Sequence, residues 1–298
     1  MALRTSYSSR ELLHSCERKY QLTKLVGPKP AREEREYFSH GHGFGSGVAS
    51  YMLTGDKDYA IYKCWMAYWP IIDTEEYNAY ICCALLRMAF FKLDELRRDW
   101  EVATFNSKPA IELSARININ PEIYDVAFID VVLKHKQTGM YAVLECKSTS
   151  ARWNDIEPMY KNSSQTIGYS VILDAVAGAE LASFQTIHFV GQMKGKLLTD
   201  VVFHTLPYIR TLRDRLDWFI TLGMDIQRLQ QMIELKYFPM RGGHCQSFGR
   251  PCQYFGTCQF RKSDVPRVEE PDTNVYDFEF MLNDIVSDHV KRIEENLL

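Results

Sequence analysis

Near residue 108 the hydrophobic pattern of this chain changes period, and that change limits the architectures open to it. Before it, runs such as YICCALLRMAFFKLDELRRDW space apolar residues three and four apart, as on a helix with one buried face. After it come AIELSARINI, YDVAFIDVVLKH and MYAVLECKS, short β-rich runs separated by Asn-Pro and Thr-Gly turn signals. Ahead of these strands the spacing predicts a helix over 8–22, with Ser8 and Glu11 at capping-box separation. It then predicts a glycine-rich entry, HGHGFGSG, into a helix stopping near Gly55, and helices over 58–70 and about 75–103. Beyond the strands it predicts a helix over 157–178, strands at SFQTIHFVGQM and LTDVVFHTL, and a long helix over 207–236. A Cys-rich loop over 240–262 and a terminal helix over 273–296 complete the chain. Helices, three strands, a helix, two strands and a helix make an α/β fold: a mixed central sheet flanked by helices. No linker demands a second domain, so a single domain over 1–298 is expected, with a helical portion (about 1–105), an α/β core (about 106–206) and a Cys-rich tail (about 207–298).

Composition narrows the function classes. The 298 residues are 46% hydrophobic and 24% charged, enough to bury a substantial core. No window approaches the roughly 18 uninterrupted apolar residues of a membrane span. Met-Ala-Leu-Arg-Thr-Ser lacks the apolar core of a secretory signal, so a cytoplasmic location is expected. A formal charge of −3 excludes a general positive coat but leaves room for a local basic groove.

The segment VAFIDVVLKHKQTGMYAVLECKSTS carries the chemistry. Asp130 lies in one strand, a turn around Gln137–Gly139 follows, and the next strand holds Glu145 and Lys147. Residues two apart on a strand share a side, so Glu145 and Lys147 face together, and a neighbouring strand can bring Asp130 alongside. Two carboxylates suit a hard cation such as Mg²⁺ or Mn²⁺, with the backbone carbonyl of Cys146 as a further oxygen. The cation lowers the pKa of a bound water and neutralises charge on a phosphate, while the ammonium orients the water or stabilises the transition state. Standing alone, a Glu-x-Lys triplet is more often a solvated surface pair. Its place at the end of the apolar run AVLECKS argues otherwise.

Asp130, Glu145-Cys-Lys147 and Gln165-Thr-Ile-Gly-Tyr169, in that order, resemble the signature of the RecB-like branch of the PD-(D/E)xK nuclease superfamily. The resemblance implies a restriction-endonuclease-like core and metal-dependent phosphodiester hydrolysis. Gln165 and Tyr169, one turn apart on the following helix, would lie over the site and orient it. A further metal-ligating His is expected on a helix ahead of the strands. His42 is the candidate, although His40 and His42 lie earlier than that pattern places the ligand, and Ala127 stands where a Gly is usual. The implied substrate is DNA, as single strands or duplex ends, in recombination, repair or phage DNA processing. A helicase, recombinase or single-strand-binding partner, or a homo-oligomer, would fit that role.

Cys245, Cys252 and Cys258 crowd into GGHCQSFGRPCQYFGTCQF and need a fourth ligand to complete a tetrahedral metal site. Iron–sulfur members of the same branch, including AddB-type and CRISPR-adaptation nucleases, take one Cys before the nuclease core and three after it. That resemblance implies Cys16 as the fourth ligand of a [4Fe-4S] cluster stapling the chain's start to its end. The Cys252-x5-Cys258 spacing matches; Cys245-x6-Cys252 is longer than usual and is closest to phage-type exonucleases. A Zn²⁺ site using His244 is the alternative. Cys64, Cys82 and Cys83 read as small core residues.

Other features carry less. Tyr62, Trp65, Tyr68, Trp69, Phe90 and Phe91 fall at helical spacing and read as core, not as a base-stacking platform. Lys161, Lys194 and Lys196 fit phosphate contacts and ordinary solvated lysines equally well. No Walker-type loop provides a motor. A non-catalytic nucleic-acid-binding or assembly protein with the same fold, and an iron–sulfur redox protein, remain the rival readings.

Overall fold

The computed structural model describes residues 3–26, 36–68, 78–178, 182–193, 198, 200–247, 250–256, 258 and 274–295. Its elements run in chain order as Leu3–Ser6 (β1), Tyr7–Ser15 (α1), Glu17–Tyr20 (α2), Glu36–Thr54 (α3), Lys57–Tyr68 (α4), Ala79–Asp99 (α5), Trp100–Val102 (β2), Thr104–Phe105 (β3), Lys108–Pro109 (β4), Ile111–Asn120 (β5), Ile123–His135 (β6) and Tyr141–Thr149 (β7). Trp153–Lys161 (α6), Ser164–Ala177 (α7), Ala182–Met193 (β8), Val201–Ile209 (β9), Leu212–Glu234 (α8), Gln246–Ser247 (β10), Arg250–Pro251 (β11), Phe278–Met281 (β12) and Leu282–Glu295 (α9) follow. This is the expected mixed α/β fold with a central mixed sheet flanked by helices. The chain divides into two compact units. One takes in 34–115 and 128–215, the other 1–33, 116–127 and 216–298.

In the first unit the strand order is β5–β6–β7–β8–β9. β6 and β7 are antiparallel across the turn at Gly139, whose φ of 74° suits a residue without a Cβ. β7 and β8 are parallel, so the chain between them must cross over, and α6 and α7 make that crossing. The core joins α3, α4 and α5 to the sheet through Phe44, Val48, Ala60, Leu86, Leu144 and Phe189. Cys64, Cys82 and Cys83 are buried in it, as their spacing predicts.

The glycines of GHGFGSG lie within α3, not ahead of it. Helix–helix contact explains the difference. A Cβ at Gly47 would overlap Leu86 Cδ2 and stand 3.0 Å from Cys64 Cβ. At Gly43 one would meet the Cys64 carbonyl and Cys82 Sγ, each at 3.2 Å. The aromatic expectation holds for Tyr68 and Phe90, which are buried, and fails for Tyr62 and Phe91, which are more than half exposed. Trp69 falls outside the described residues.

The helix expected over 157–178 is two helices. Asn162 ends α6, which contains Pro158, and the Ser163 side chain caps α7 by accepting from the Thr166 amide. The strand β9 runs on to Ile209, so α8 begins at Leu212 and not at 207. Thr211 and Asp214 mark that start, each side chain accepting from the other's backbone amide at 3.2 and 2.8 Å.

In the second unit β1 lies parallel to residues 123–126 of β6, and its last residue, Ser6, caps α1. The capping box is Ser6 with Ser9, two residues before the expected Ser8 and Glu11. The helix expected over 8–22 breaks at Cys16, which is extended at φ −163° and ψ 112°. Leu13, Tyr20, Leu229, Met232 and Phe238 pack together. The buried Glu17 carboxylate accepts from Arg228 and from both Nε and Nη2 of Arg241. The expected terminal helix starts only at Leu282, because residues 278–281 form β12.

Candidate active site

Asp130, Glu145 and Lys147 belong to adjacent strands of one unit, and the register brings them together. Val131 pairs with Leu144, which sets Asp130 level with Glu145, and the Cys146 amide donates to Asp130 Oδ2 at 3.0 Å. Glu145 and Lys147 share a face, and Lys147 Nζ donates to Glu145 Oε1. The Cys146 side chain points into the opposite, packed face.

Glu145 is only 1% exposed, yet its Oε2 has no hydrogen-bond partner among the described residues. Burial and the neighbouring Asp130 charge push its carboxyl up to about 7, and Lys147 offsets only part of this. Burial also raises Asp130, against the pull of Lys147, the Cys146 amide and His42. Burial pulls the Lys147 ammonium down, but Glu145 and Asp130 outweigh it and leave it firmly protonated. A buried and a half-buried carboxylate, mutually repelling and with one oxygen unsatisfied, form a donor set that a divalent cation completes. Among the described residues no three His, Cys, Asp or Glu side chains already stand in metal-holding geometry.

Gln165 and Tyr169 come together as the helical spacing requires, with Gln165 Nε2 donating to the Tyr169 hydroxyl at 2.7 Å. Burial chiefly, and then the Glu145 charge, raise the Tyr169 phenol, which places that ring within electrostatic reach of the carboxylates. His42 is exposed on α3, and its charge acts on Asp130. His40 is buried instead, with its ring edge-on to Tyr68, and desolvation holds its pKa down at about 4. Of the two histidines, His42 is therefore the one associated with the carboxylates.

Three neighbours carried no sequence signal. Tyr160, on α6, interacts electrostatically with Lys147, and its ring lies 5.2 Å from that of His188, the residue opposite Glu145 on β8. Arg210 is buried at the end of β9. Its guanidinium donates to Thr186 Oγ1 (3.0 Å), Thr166 Oγ1 (2.9 Å) and the Tyr160 (3.1 Å) and Lys161 carbonyls. One side chain thus ties the end of α6 to the start of α7. Glu112, at the start of β5, has its carboxyl raised by desolvation and by Asp130.

The four candidate cluster cysteines all lie in the other unit. Cys16 is buried at the break between α1 and α2, while Cys245, Cys252 and Cys258 are partly buried. The Cys252 amide donates to the Cys245 carbonyl at 2.7 Å, and Cys252 and Cys258 pack against Leu22, Val26 and Tyr254. The Arg18 amide donates to the Pro239 carbonyl at 3.0 Å, and Arg18 Nη2 to the Cys258 carbonyl at 3.4 Å. Within this unit the segment after Cys16 therefore meets the Cys-rich loop. Among the described residues the thiols do not converge into a ligand set.

The model of the PD-(D/E)XK nuclease superfamily matches residues 4–259. The chain belongs to that superfamily, and the family makes it a nuclease. Members generally use divalent metals such as Mg²⁺ or Mn²⁺, which the carboxylate pair fits. No curated protein matches the sequence. Among solved structures, that of SSO0001 aligns at 12% identity over 76% of this chain and 86% of its own, with a TM-score of 0.27. No described helix is long and apolar enough to cross a membrane.

The raised Glu145 carboxyl has a consequence for cation binding. A cation needs the ionised form, so below about pH 7 it must displace a proton. Titration calorimetry at pH 6 in buffers of different ionisation enthalpy should show about one proton released per Mn²⁺ bound, and clearly less at pH 8. Equal release at both pH values would count against Glu145 as a ligand.

Proposed function

We propose that the chain is a Mg²⁺- or Mn²⁺-dependent deoxyribonuclease, acting as an exonuclease on single strands or duplex ends. Asp130 and Glu145 hold the cation, with the Cys146 carbonyl and His42 as further ligands, and Lys147 assists the attacking water. Gln165 and Tyr169 orient the site. The observation that carries this reading is the buried Glu145 oxygen without a partner, beside Asp130 and Lys147 at the end of an apolar strand. Neither a solvated ion pair nor a structural salt bridge accounts for it. The cation supplies a lowered water pKa and charge neutralisation. The chain supplies the carboxylate geometry, the fixed ammonium and a floor of packed residues that excludes bulk water.

The test is cleavage of end-labelled linear single- and double-stranded DNA, and of closed circles, with Mn²⁺ and with EDTA. Metal-dependent loss of linear DNA with survival of the circles is expected. Nicked circles would sink the exonuclease assignment. No cleavage by anaerobically prepared protein would favour the nucleic-acid-binding or assembly reading. Work on DNA ends in recombination, repair or phage DNA processing would bring the chain to a helicase, recombinase or single-strand-binding partner, or into a homo-oligomer.

Cys16, Cys245, Cys252 and Cys258 are proposed to hold a [4Fe-4S] cluster, with a Zn²⁺ site including His244 as the alternative. Supporting it are the packing of Cys252 and Cys258 on Leu22 and Val26 and the backbone links from Arg18 to the Cys-rich segment. Anaerobically purified protein should be brown, with about four iron and four sulfide per chain. Cys252→Ser should bleach it and lower its solubility. Colourless wild-type protein with one bound zinc would replace the cluster by the alternative.

A further inference from the structure

β5 and β6 form a hairpin through residues 121–122, and at its far end the Val132 amide donates to the Ala110 carbonyl at 2.9 Å. Two residues inward along each chain stand Glu112 and Asp130, so the sheet brings Glu112 level with the first candidate ligand. Glu112 leaves strand geometry, with a φ of 51° in the left-handed region that residues with a Cβ seldom occupy inside a sheet. Its neighbours Ile111 and Leu113 pack inward, while Glu112 is exposed. No hydrogen bond or ion pair holds its carboxylate among the described residues. Its charge reaches Glu145 and Tyr169, and Asp130 acts on it in turn. An independent sign of a missing cation is the Glu145 Oε2, buried and without a partner in the same cluster.

We propose that Glu112 is a third carboxylate ligand of the divalent cation held by Asp130 and Glu145. The inference rests on the cation site of the proposed function and adds a residue from a different strand. With all three carboxylates ionised, Lys147 leaves the cluster two negative charges, which one divalent cation balances. Glu112 is not yet in metal-holding geometry with the other two and reaches the cation by rotation of its exposed side chain. The left-handed φ takes Glu112 out of the regular strand path, so its side chain is not bound to the strict alternation of the sheet.

The experiment is Mn²⁺ binding followed by electron paramagnetic resonance, on the full chain without DNA. Glu112→Gln should weaken Mn²⁺ at least about tenfold, and Glu112→Asp, which keeps the charge but shortens the reach, should also weaken it. Glu101→Gln, on an exposed residue of β2, should bind as wild type does. Glu112→Gly suits the backbone better, so it should lose cation affinity while melting no lower than wild type. Wild-type affinity in Glu112→Gln would overturn the proposal and leave Asp130 and Glu145 untouched. Wild-type affinity in Glu112→Asp alone would reduce Glu112 to a distant charge and overturn ligation. No Mn²⁺ binding by the wild-type chain would overturn the underlying cation site as well.

Discussion

Lys147→Ala is expected to lower metal-dependent DNA cleavage by about 10²–10³-fold, or roughly 3–4 kcal/mol of transition-state stabilisation. The ammonium is fixed by Glu145, beside the proposed cation site, and among the described residues no other lysine or arginine donates to that carboxylate. Single-turnover rates at saturating Mn²⁺ separate this from a loss of cation affinity. Undiminished cleavage by the mutant, purified free of host nucleases, would end the assignment of Lys147. The side chain is 37% exposed, so its removal should leave the fold intact.

Glu145→Gln should be equally inactive, yet more stable without metal. Burial and the Asp130 charge push the folded Glu145 carboxyl up to about 7 from its ordinary 4.5. The unfolded chain therefore ionises first, and stability falls as pH rises from 4.5 to 7, the full cost being present above 7. The Gln variant escapes that cost. In EDTA it should gain on the order of 2 kcal/mol over wild type at pH 8 and almost nothing at pH 4, as read from denaturant unfolding. A variant less stable than wild type at pH 8 would show that the bond to Lys147 outweighs the burial of the charge.

The second large effect concerns the fold. Arg215 is completely buried and lies 3.2 Å from Asp174 Oδ2, joining the start of α8 to the end of α7. Asp174→Ala leaves a buried guanidinium without its carboxylate and is expected to destabilise the protein by about 3–5 kcal/mol. The double variant Asp174→Leu, Arg215→Met removes both charges and should recover most of that loss. Thermal melts of the two variants decide it. A single variant within about 1 kcal/mol of wild type would mean that other contacts carry the Arg215 charge.

The sequence alone determined the α/β class, the three strands around the carboxylates and the pairing of Glu145 with Lys147. These follow from periodicity: alternation on β6 and β7 is local, and a residue two along a strand faces the same way wherever the strand goes. It also determined Gln165 with Tyr169, because i and i+4 meet on any helix. Local rules failed where a neighbour intervened. Ser6 took the cap from Ser8 because β1 pairs with β6 and ends there. The glycines of α3 entered the helix because Cys64 and Leu86 press against it. Tertiary structure alone decided that Glu112 stands beside Asp130, that Arg210 clasps α6 and α7, and that Asp174 meets Arg215. These pairings span tens of residues, and no period along the chain encodes them. They are fixed by which strand edges hydrogen-bond and which faces exclude water, and those choices are settled only when the whole sheet and its helices are in place.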